Sequence, residues 1–205
     1  MLIKFDDIVR EYGTPRGVIH IGAHLMEERN DYKNNNINHI IWIEANPYIH
    51  QNINKYSSEN EYILNYAISD EDNIELELKI TNNGQSSSLL DLELHKKHHP
   101  HIYVSDSVKV TCRRMDSIIE EYKFNLDNYN FLNIDIQGME LKAMIGFGDL
   151  ISKMDYIYTE VNSNFLYKNC ALITDIDEYL DLKGFKRVET SMTEYEWGDA
   201  LYIKK

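Results

Sequence analysis

Two residues near the start of the chain have the spacing of a nucleotide-binding turn. Gly22 follows the apolar run VIHI, and Glu44 follows the apolar run HIIWI, twenty-two residues further on. Glycine allows a backbone to approach a ligand closely, and an acid about 20 residues beyond such a turn is placed to bind ribose hydroxyls. Either residue alone is weak evidence, because many strand-to-helix turns use glycine and many strands end in a solvated acid. Together they predict a site for a ligand that contains ribose.

The turn at Gly22 lacks the further glycines of a dinucleotide-binding fingerprint. His24 and Glu27 stand among the positions where those glycines are expected. The spacing alone would still fit a nicotinamide dinucleotide, but a pyrophosphate needs closer backbone approach than this loop offers. A ligand with one ribose and no phosphate fits better, and S-adenosylmethionine is such a ligand.

The elements that must position these residues follow from the apolar pattern. Strand-sized apolar runs alternate with segments of helical period, which predicts an α/β fold with a Rossmann-like, seven-stranded, mostly parallel sheet. Helices should cover both faces, and the last two strands should form an antiparallel pair. The sequence has no repeat and no linker, so we expect one domain over residues 1–205 with a substrate-side insertion around 73–113. Among the individual elements, we expect one strand over 62–68 and helices over 27–36 and 89–98.

Ligands of open α/β sheets bind beyond the carboxyl ends of the strands. The candidate side chains that follow the later strands are Ala67, Ile68, Ser69, Asp135, Gln137, Glu160 and Asn162. The first three lie where an adenine edge would be read. Asp135 and Glu160 end strands that we expect to be neighbours, so with a third carboxylate they could hold a divalent cation. We do not favour that alternative, and we predict no metal ligands.

Five segments resemble the FkbM family of S-adenosylmethionine-dependent methyltransferases. They are VIHIGAH (18–24), WIEANP (42–47), NYAISDED (65–72), GQSSSLL (84–90) and FLNIDIQGMELKAMIG (131–146). The last is the most specific, because Asp135, Gln137, Gly138, Glu140 and Gly146 all fall at positions of the family pattern. The resemblance covers nearly the whole chain in the same order. It implies methyl transfer, usually to a hydroxyl oxygen of a sugar or natural product.

The resemblance also implies a role for individual residues. Gly22, Ala23 and His24 would line the methionine side of the cofactor, and Glu44, followed by Ala45 and Asn46, would hold the ribose. Residues 67–69 would flank the adenine, and Asp135 would lie beside the transferred methyl group.

Two positions depart from the family pattern. His20 stands where the family has an acid, and Met26 stands where it has a second glycine. A histidine cannot anchor the cofactor's amino group as a carboxylate would, so we expect Glu27 or Asp135 to make that contact.

Three side chains are candidates for catalysis. Asp135 is the first candidate for the base, or for orienting the acceptor, although contact with the cofactor's amino group fits it equally well. Glu160 is a second base or an acceptor ligand. His95 belongs to the run HKKHHPH, and helical spacing places it beside His98 and His99. This run could form a zinc site, but a polar loop over the active site is favoured, and within that loop His95 is a candidate general base.

Further polar residues are candidates for binding the acceptor. Ser86 and Ser87 could hydrogen-bond a substrate, although capping of a helix beginning at Leu89 is the default interpretation. Trp197 and Asp199 could face a sugar ring or could only close a turn. Gln137 and Asn162 complete the set of predicted substrate contacts.

Charge excludes several classes of partner. The chain has 21 Lys+Arg against 34 Asp+Glu, a net charge of −13. A nucleic-acid site or an anionic lipid surface needs the opposite sign, and the apolar runs are too short to span a membrane. We expect a cytoplasmic protein, and codons rich in A and T for its favoured residues suggest a bacterial or viral source. A small molecule or glycan is the expected partner, and oligomerisation is left open.

Together these features predict an O-methyltransferase that acts on a hydroxyl of a sugar, which could be free, nucleotide-linked or part of a glycan. Decoration of glycans during their biosynthesis would be a natural setting. Two alternatives stay open. One is a small-molecule or natural-product methyltransferase of the same fold, and the other is a non-catalytic module that has kept only the cofactor fold.

Overall fold

A computed structural model describes all 205 residues of the chain. Its strands are β1 (Gly17–Ile21), β2 (His39–Ile43), β3 (Glu61–Leu64), β4 (Ala67–Ile68), β5 (Ile74–Thr81), β6 (Val104–Arg113), β7 (Phe131–Ile134), β8 (Tyr156–Asn162), β9 (Phe185–Met192) and β10 (Trp197–Lys204). Its α-helices are α1 (Phe5–Tyr12), α2 (Arg29–Asn34), α3 (Pro47–Ile53), α4 (His95–His98), α5 (Met115–Tyr122), α6 (Glu140–Gly146) and α7 (Ile173–Leu182). Short 3-10 turns occur at Asn54–Tyr56, Leu126–Asn128 and Gly148–Lys153. None of the helices is long and apolar enough to cross a membrane.

Seven strands form the main sheet in the order β3-β2-β1-β7-β8-β10-β9. Strands β3, β2, β1, β7 and β8 pair in parallel, and β10 runs antiparallel to both β8 and β9. The predicted Rossmann-like sheet with an antiparallel C-terminal pair is therefore confirmed. The carboxyl ends of β1, β2, β7 and β8 meet along one edge, where the sequence places its candidate site residues.

The central strands are buried on both faces, which explains their unbroken apolar runs. Along β1, Val18 points into a core cluster that contains residues of α1, α2 and α3, and Ile19 points into a second cluster that contains residues of α5, α6 and α7. This alternation follows from the two-residue period of a strand. Helices on both faces thus hold the sheet rigidly and leave only its ends accessible.

The expected strand over 62–68 is wrong, because the chain divides into two strands that belong to different sheets. β3 joins the main sheet, whereas β4 pairs with β6 in a second sheet of order β4-β6-β5. Asn65 explains the break between β3 and β4. Its side-chain Nδ2 donates to the carbonyl oxygens of Glu44 (2.7 Å) and Ala45 (3.1 Å), and these hydrogen bonds hold the chain against the end of β2.

Two expected helices are shorter than the sequence predicts. The segment 89–98 is helical only at α4, because the preceding backbone bonds elsewhere. The amide of Glu93 donates to the carbonyl of Leu166 at 2.8 Å, and the amide of Leu90 donates to Ser88 Oγ at 3.0 Å. The helix expected over 27–36 is reduced to α2, and Asn36, with φ of 61°, lies beyond its end.

Candidate active site

The turn after β1 brings two strand ends into contact. Gly22 has φ of 92°, and a Cβ there would overlap the carbonyl oxygen of Asp135, which follows β7. The amides of Gly22 and Ala23 both donate to the carbonyl of Ile43 at the end of β2, at 2.9 and 3.0 Å. The glycine is required here for contact between strand ends, in addition to any approach to a ligand.

The rest of this turn adopts an unusual backbone. His24 and Met26 both have positive φ, 41° and 61°, which costs a residue with a side chain roughly 1–2 kcal/mol. Met26 stands where the family pattern has glycine, and its side chain is 4% exposed within the core cluster that also holds Ala23 and Tyr32. Burial of the methionine side chain therefore offsets the strain that a glycine would avoid.

Glu44 ends β2 with its carboxylate held in place by the backbone. Its Oε2 accepts from the amide of His24 and its Oε1 accepts from the amide of Asn46, both at 2.7 Å. Asn46 in turn caps α3, because its Oδ1 accepts from the amide of Tyr48 at 3.0 Å. Burial raises the pKa of Glu44. Each carboxylate oxygen keeps a second lone pair, so the group can still accept from two hydroxyls of a ligand.

Glu44 faces an open cleft of about 650 Å³, called here the apolar cleft. Among the residues lining it are Ile21, Gly22, His24, Ile43, Glu44, Ala45, Asn46, Ile49, Ala67, Ile68, Leu78, Gln85, Ser87, Asp135, Gln137 and Met139. Most of the predicted cofactor contacts are thereby brought together.

Ala23 and Ser69 are predicted cofactor contacts that do not line the apolar cleft. Ala23 is buried in the core. Ser69 is buried with its Oγ donating to Asp70 Oδ1 at 2.7 Å, and its carbonyl packs against Gly146. Both residues therefore pack beneath the site and do not line the cleft itself.

The turn after β7 is fixed by a buried acid. Gln137 and Gly138 both have positive φ, 57° and 102°. The Glu140 carboxylate accepts from the amides of Ile136 and Gly138, each at 3.0 Å, and burial raises the pKa of Glu140 to about 7. The acid that the family pattern shares at this position therefore shapes the turn that presents Asp135.

Gln137 joins the carboxyl that follows β7, Asp135, to Glu160, which lies within β8 and does not end it as the sequence predicts. Its Nε2 donates to Asp135 Oδ1 at 2.7 Å and also to Glu160, and its Oε1 accepts from the Tyr167 hydroxyl. Burial and the neighbouring Asp135 carboxylate raise the pKa of Glu160 well above its usual range. The pair therefore favours a protonated Glu160 beside Asp135, with Gln137 holding both groups in place.

A second open cleft of about 1400 Å³ lies on the other side of Asp135 and is called here the acidic cleft. Among the residues lining it are His20, His24, Glu27, Glu28, Asn83, Gln85, Ser86, His95, His99, Asp135, Gln137, Tyr158, Glu160, Tyr167, Trp197 and Asp199. Gly22, His24, Gln85, Asp135 and Gln137 line both clefts. The clefts therefore meet at Asp135.

His95 lies in the wall of the acidic cleft, as part of α4. It is 7% exposed, its Nδ1 is buried without a hydrogen-bond partner, and its ring lies 5.0 Å from that of His99. Burial and the neighbouring histidines lower the pKa of His95 to about 4. No group of three or more His, Cys, Asp or Glu side chains has the geometry to hold a metal ion. This finding gives no support to the zinc site that the histidine run offered as an alternative, or to the divalent site at Asp135 and Glu160.

His20, which lies in the first cofactor motif, and Glu27, a predicted cofactor contact, line the acidic cleft instead. His20 is buried, with its Nδ1 3.0 Å from the Tyr32 hydroxyl, and burial lowers its pKa. Glu27 pairs with His24, with 2.6 Å between Oε1 and Nδ1. His20 is therefore a packed imidazole whose lowered pKa favours the neutral form, and it does not supply the charge of the acid that it replaces.

The predicted acceptor contacts divide between the two clefts. Ser86 lines the acidic cleft and Ser87 the apolar cleft, and the capping interpretation is wrong because no helix begins at Leu89. Trp197 and Asp199 line the acidic cleft. Asn162 lines neither cleft: it is 1% exposed, and both polar atoms of its side chain lack a hydrogen-bond partner.

Sequence reasoning missed several residues at these clefts. Gln85 lies in the segment GQSSSLL that carried part of the resemblance, so its motif was the available signal. Tyr158 and Tyr167 had no such signal. Tyr158 lies inside a strand, and Tyr167 lies in a loop that only the tertiary fold brings against Gln137.

The strand order, the antiparallel β10 and two clefts meeting at a strand-end carboxylate define a Rossmann-like methyltransferase domain. The profile of the Methyltransferase FkbM domain matches residues 13–187. The chain belongs to this family, and it is an S-adenosylmethionine-dependent methyltransferase. A search of curated proteins found no significant match.

Solved structures share the fold at low sequence identity. Sp1610 of Streptococcus pneumoniae, a proposed tRNA (m1A22) methyltransferase, is 10% identical with a TM-score of 0.53, over 98% of this chain and 69% of that chain. A protein of the NADB-Rossmann superfamily from Streptococcus agalactiae is 10% identical with a TM-score of 0.54, over 98% and 68% of the two chains. HI0767 of Haemophilus influenzae, a proposed methylase, is 10% identical with a TM-score of 0.50, over 98% and 94%.

The residues of the apolar cleft fit the cofactor. Glu44 has lone pairs for two ribose hydroxyls, and Ala67 and Ile68 offer an apolar surface for an adenine ring. Asp135 lies at the junction of the two clefts. Because the family is defined by methyl transfer, the nicotinamide dinucleotide alternative is not retained.

Proposed function

We propose that this protein methylates a hydroxyl of a sugar, which is free, nucleotide-linked or part of a glycan. The observation that carries the proposal is that Asp135 and Gln137 line both the apolar and the acidic cleft. A group passes between two ligands where their sites meet, and a carboxylate at that point can orient an acceptor hydroxyl by accepting its hydrogen bond. The apolar cleft then holds the cofactor, and the acidic cleft holds the acceptor.

When bound, S-adenosylmethionine supplies an electrophilic methyl group and leaves as the neutral thioether S-adenosylhomocysteine. The chain must hold the acceptor oxygen in line and remove the hydroxyl proton as the new carbon–oxygen bond forms. We assign proton removal to Asp135. Gln137 fixes the Asp135 carboxylate by its 2.7 Å hydrogen bond, and Glu160 keeps its own proton beside it.

His95 also lines the acidic cleft, and its Nδ1 has no hydrogen-bond partner. Its lowered pKa keeps the ring neutral at pH 7, so it can accept a hydrogen bond but is a weak base. We therefore assign it to orienting the acceptor. His95→Gln should raise KM more than it lowers kcat, whereas Asp135→Asn should lower kcat. Equal effects of both variants on kcat would contradict this division.

The lining of the acidic cleft supports a polyhydroxylated acceptor. Asn83, Gln85 and Ser86 offer amide and hydroxyl groups, and Trp197 offers an aromatic face. Asn83 donates to Ser86 Oγ at 3.0 Å, and the second amide hydrogen of Asn83 is left for a polar ligand. The net charge of −13 supports a small molecule or glycan over nucleic acid or a lipid surface as the partner.

The proposal is tested by incubating the protein with S-adenosylmethionine and a panel of hexoses, nucleotide sugars and oligosaccharides. Release of S-adenosylhomocysteine and the position of the methyl group in the product are measured by mass spectrometry. We expect methyl on a ring oxygen of at least one sugar, and loss of the product with Asp135→Asn. If S-adenosylhomocysteine binds but no sugar of any kind is methylated, the sugar hydroxyl is the wrong acceptor. If the protein does not bind S-adenosylhomocysteine, the non-catalytic alternative is favoured.

A further inference from the structure

Carboxyl groups dominate the charged side chains of the acidic cleft. Those that line it are Glu27, Glu28, Asp135, Glu160 and Asp199. The titratable nitrogen groups of the lining are four histidines and the amino group of Met1. The Met1 nitrogen lies 3.4 Å from Glu28 Oε1. A ligand in this cleft therefore meets a strongly negative surface.

Two of these acids face each other directly inside the fold. Glu160 on β8 and Asp199 on β10 are register partners in the antiparallel pair, and they are 4% and 6% exposed. Because Glu160 keeps its proton, Asp199 is the member of the pair that carries the charge, and burial of a charged carboxyl without a cation is costly. A cation beside Asp199 would relieve that cost.

Asp199 has an oxygen that the protein does not use. Its Oδ2 accepts from the amide of Leu2 at 2.5 Å and from the Tyr158 hydroxyl. Both hydrogen bonds of the carboxyl arrive at this atom, so Oδ1 is available to a ligand. Because Leu2 and Tyr158 fix the carboxyl from one side, its remaining oxygen is held ready for a donor.

An independent observation in the same wall also points to a ligand. His95 is buried, lines the acidic cleft and has an unpaired Nδ1. Buried polar atoms are usually hydrogen-bonded, and a ligand that ordered the His95 ring would remove this exception. The cleft therefore combines a buried acid, Asp199, that needs a cation with a neutral ring that can accept a hydroxyl's hydrogen bond.

We propose that the acceptor is an amino sugar, whose ammonium group pairs with the Asp199 carboxylate and donates to the uncharged Glu160 carboxyl, while a neighbouring hydroxyl is presented to Asp135. An ammonium group has three donors, which match the free oxygen of Asp199, the Glu160 carboxyl and one further acceptor. This inference rests on the proposed function and narrows it, because the phosphates of a nucleotide sugar and the carboxylate of a uronic acid would be repelled.

The test is a series of one hexose in three charge states: glucosamine, glucose and glucuronic acid. Dissociation constants are measured by calorimetry with protein saturated with S-adenosylhomocysteine. We expect glucosamine to bind about ten-fold more tightly than glucose, which is the usual strength of one charge-assisted hydrogen bond, and glucuronic acid to bind most weakly. Asp199→Asn should remove the advantage of glucosamine, since an asparagine oxygen can still accept from Leu2 and Tyr158 but carries no charge.

Glu178→Gln is the matched control, because it removes one exposed acid from α7 outside both clefts and should leave the series unchanged. The amino-sugar proposal is overturned if glucose or glucuronic acid binds as tightly as glucosamine, if none of the three binds, or if Asp199→Asn leaves the order unchanged. These results are distinct from failure of the proposed function. Methylation of neutral or acidic sugars without preference for amines would refute only this inference.

Discussion

A Cβ atom at Gly22 would overlap the carbonyl oxygen of Asp135. The ends of β1 and β7 can therefore touch only because residue 22 has no side chain. This contact places the turn that faces the apolar cleft beside the carboxylate that faces both clefts. The glycine of the first motif and the aspartate of the last are thus parts of one structural unit.

Gly22→Ala should destabilise the protein far more than Gly184→Ala. Both glycines have positive φ, 92° and 87°, but a Cβ at Gly184 would meet nothing within 4 Å. The alanine at 184 should cost only the backbone strain, about 1 kcal/mol. The alanine at 22 adds a clash with backbone and should cost more than about 3 kcal/mol. Urea unfolding of the two variants gives the comparison, and equal losses would show that contact with Asp135 is not what requires the glycine.

Glu44→Gln should weaken binding of S-adenosylhomocysteine by about ten-fold or more, because the new amide NH2 would face the backbone N–H of His24 or Asn46 and the neutral amide oxygen is a weaker acceptor for ribose hydroxyls. Calorimetric titration measures the effect, and the melting temperature shows whether the fold is retained. Glu178→Gln, which makes the same chemical change on the surface, should bind like the unaltered protein. Unchanged affinity of Glu44→Gln would mean that the ribose lies elsewhere.

The free energy of unfolding should depend on the protonation of Glu140. Its pKa is about 7 in the folded protein against 4.5 for the ordinary side chain, because it is buried. The folded state holds a proton that the unfolded chain releases, so this contribution to stability is complete below about pH 4.5 and is lost as the pH rises through 7. The excess free energy of unfolding of the unaltered protein over Glu140→Gln should therefore shrink between pH 5 and about pH 8, as measured by urea unfolding. An advantage that grows with pH would contradict the raised pKa.

Met26→Gly should lower stability even though it relieves backbone strain. Glycine at φ of 61° regains roughly 1 kcal/mol, whereas loss of the buried methionine side chain costs about 2–5 kcal/mol. Thermal unfolding measures the net effect, and the affinity for S-adenosylhomocysteine should stay unchanged because Met26 does not line the apolar cleft. A more stable variant would show that the strain outweighs the burial.

Magnesium should not alter the affinity for S-adenosylhomocysteine, and EDTA should not lower it. Asp135 and Glu160 are already joined by Gln137, and the raised pKa of Glu160 favours a protonated carboxyl that is a poor ligand for a metal ion. Paired titrations with magnesium and with EDTA test this expectation. A magnesium-dependent gain in affinity would require Gln137 to leave the two carboxyls.

Much of the fold could be predicted from local pattern. The order of apolar runs and helical segments determined a mostly parallel sheet, and the apolar runs VIHI and HIIWI lie within β1 and β2. The prediction of one strand over 62–68 is wrong because Asn65 donates hydrogen bonds to backbone carbonyls at the end of β2. The local apolar pattern carries no information about such a long-range contact. The helix over 89–98 failed for the same kind of reason, since the amide of Glu93 bonds to Leu166.

The sequence by itself determined that Gly22, Glu44 and Asp135 follow central strands, and hence that they lie along one edge, whereas Glu160 lies within β8. This follows because strands alternate, parallel strands point the same way, and their carboxyl ends must meet. Only the tertiary structure decided which carboxyl group keeps a proton, which side chains bond to the backbone and which polar atoms have no hydrogen-bond partner. Gln137 lies between two carboxyls, His20 faces the acidic cleft and Tyr167 arrives from a distant loop, because packing of side chains from many segments sets those contacts. Local periodicity carries no information about contacts of that kind.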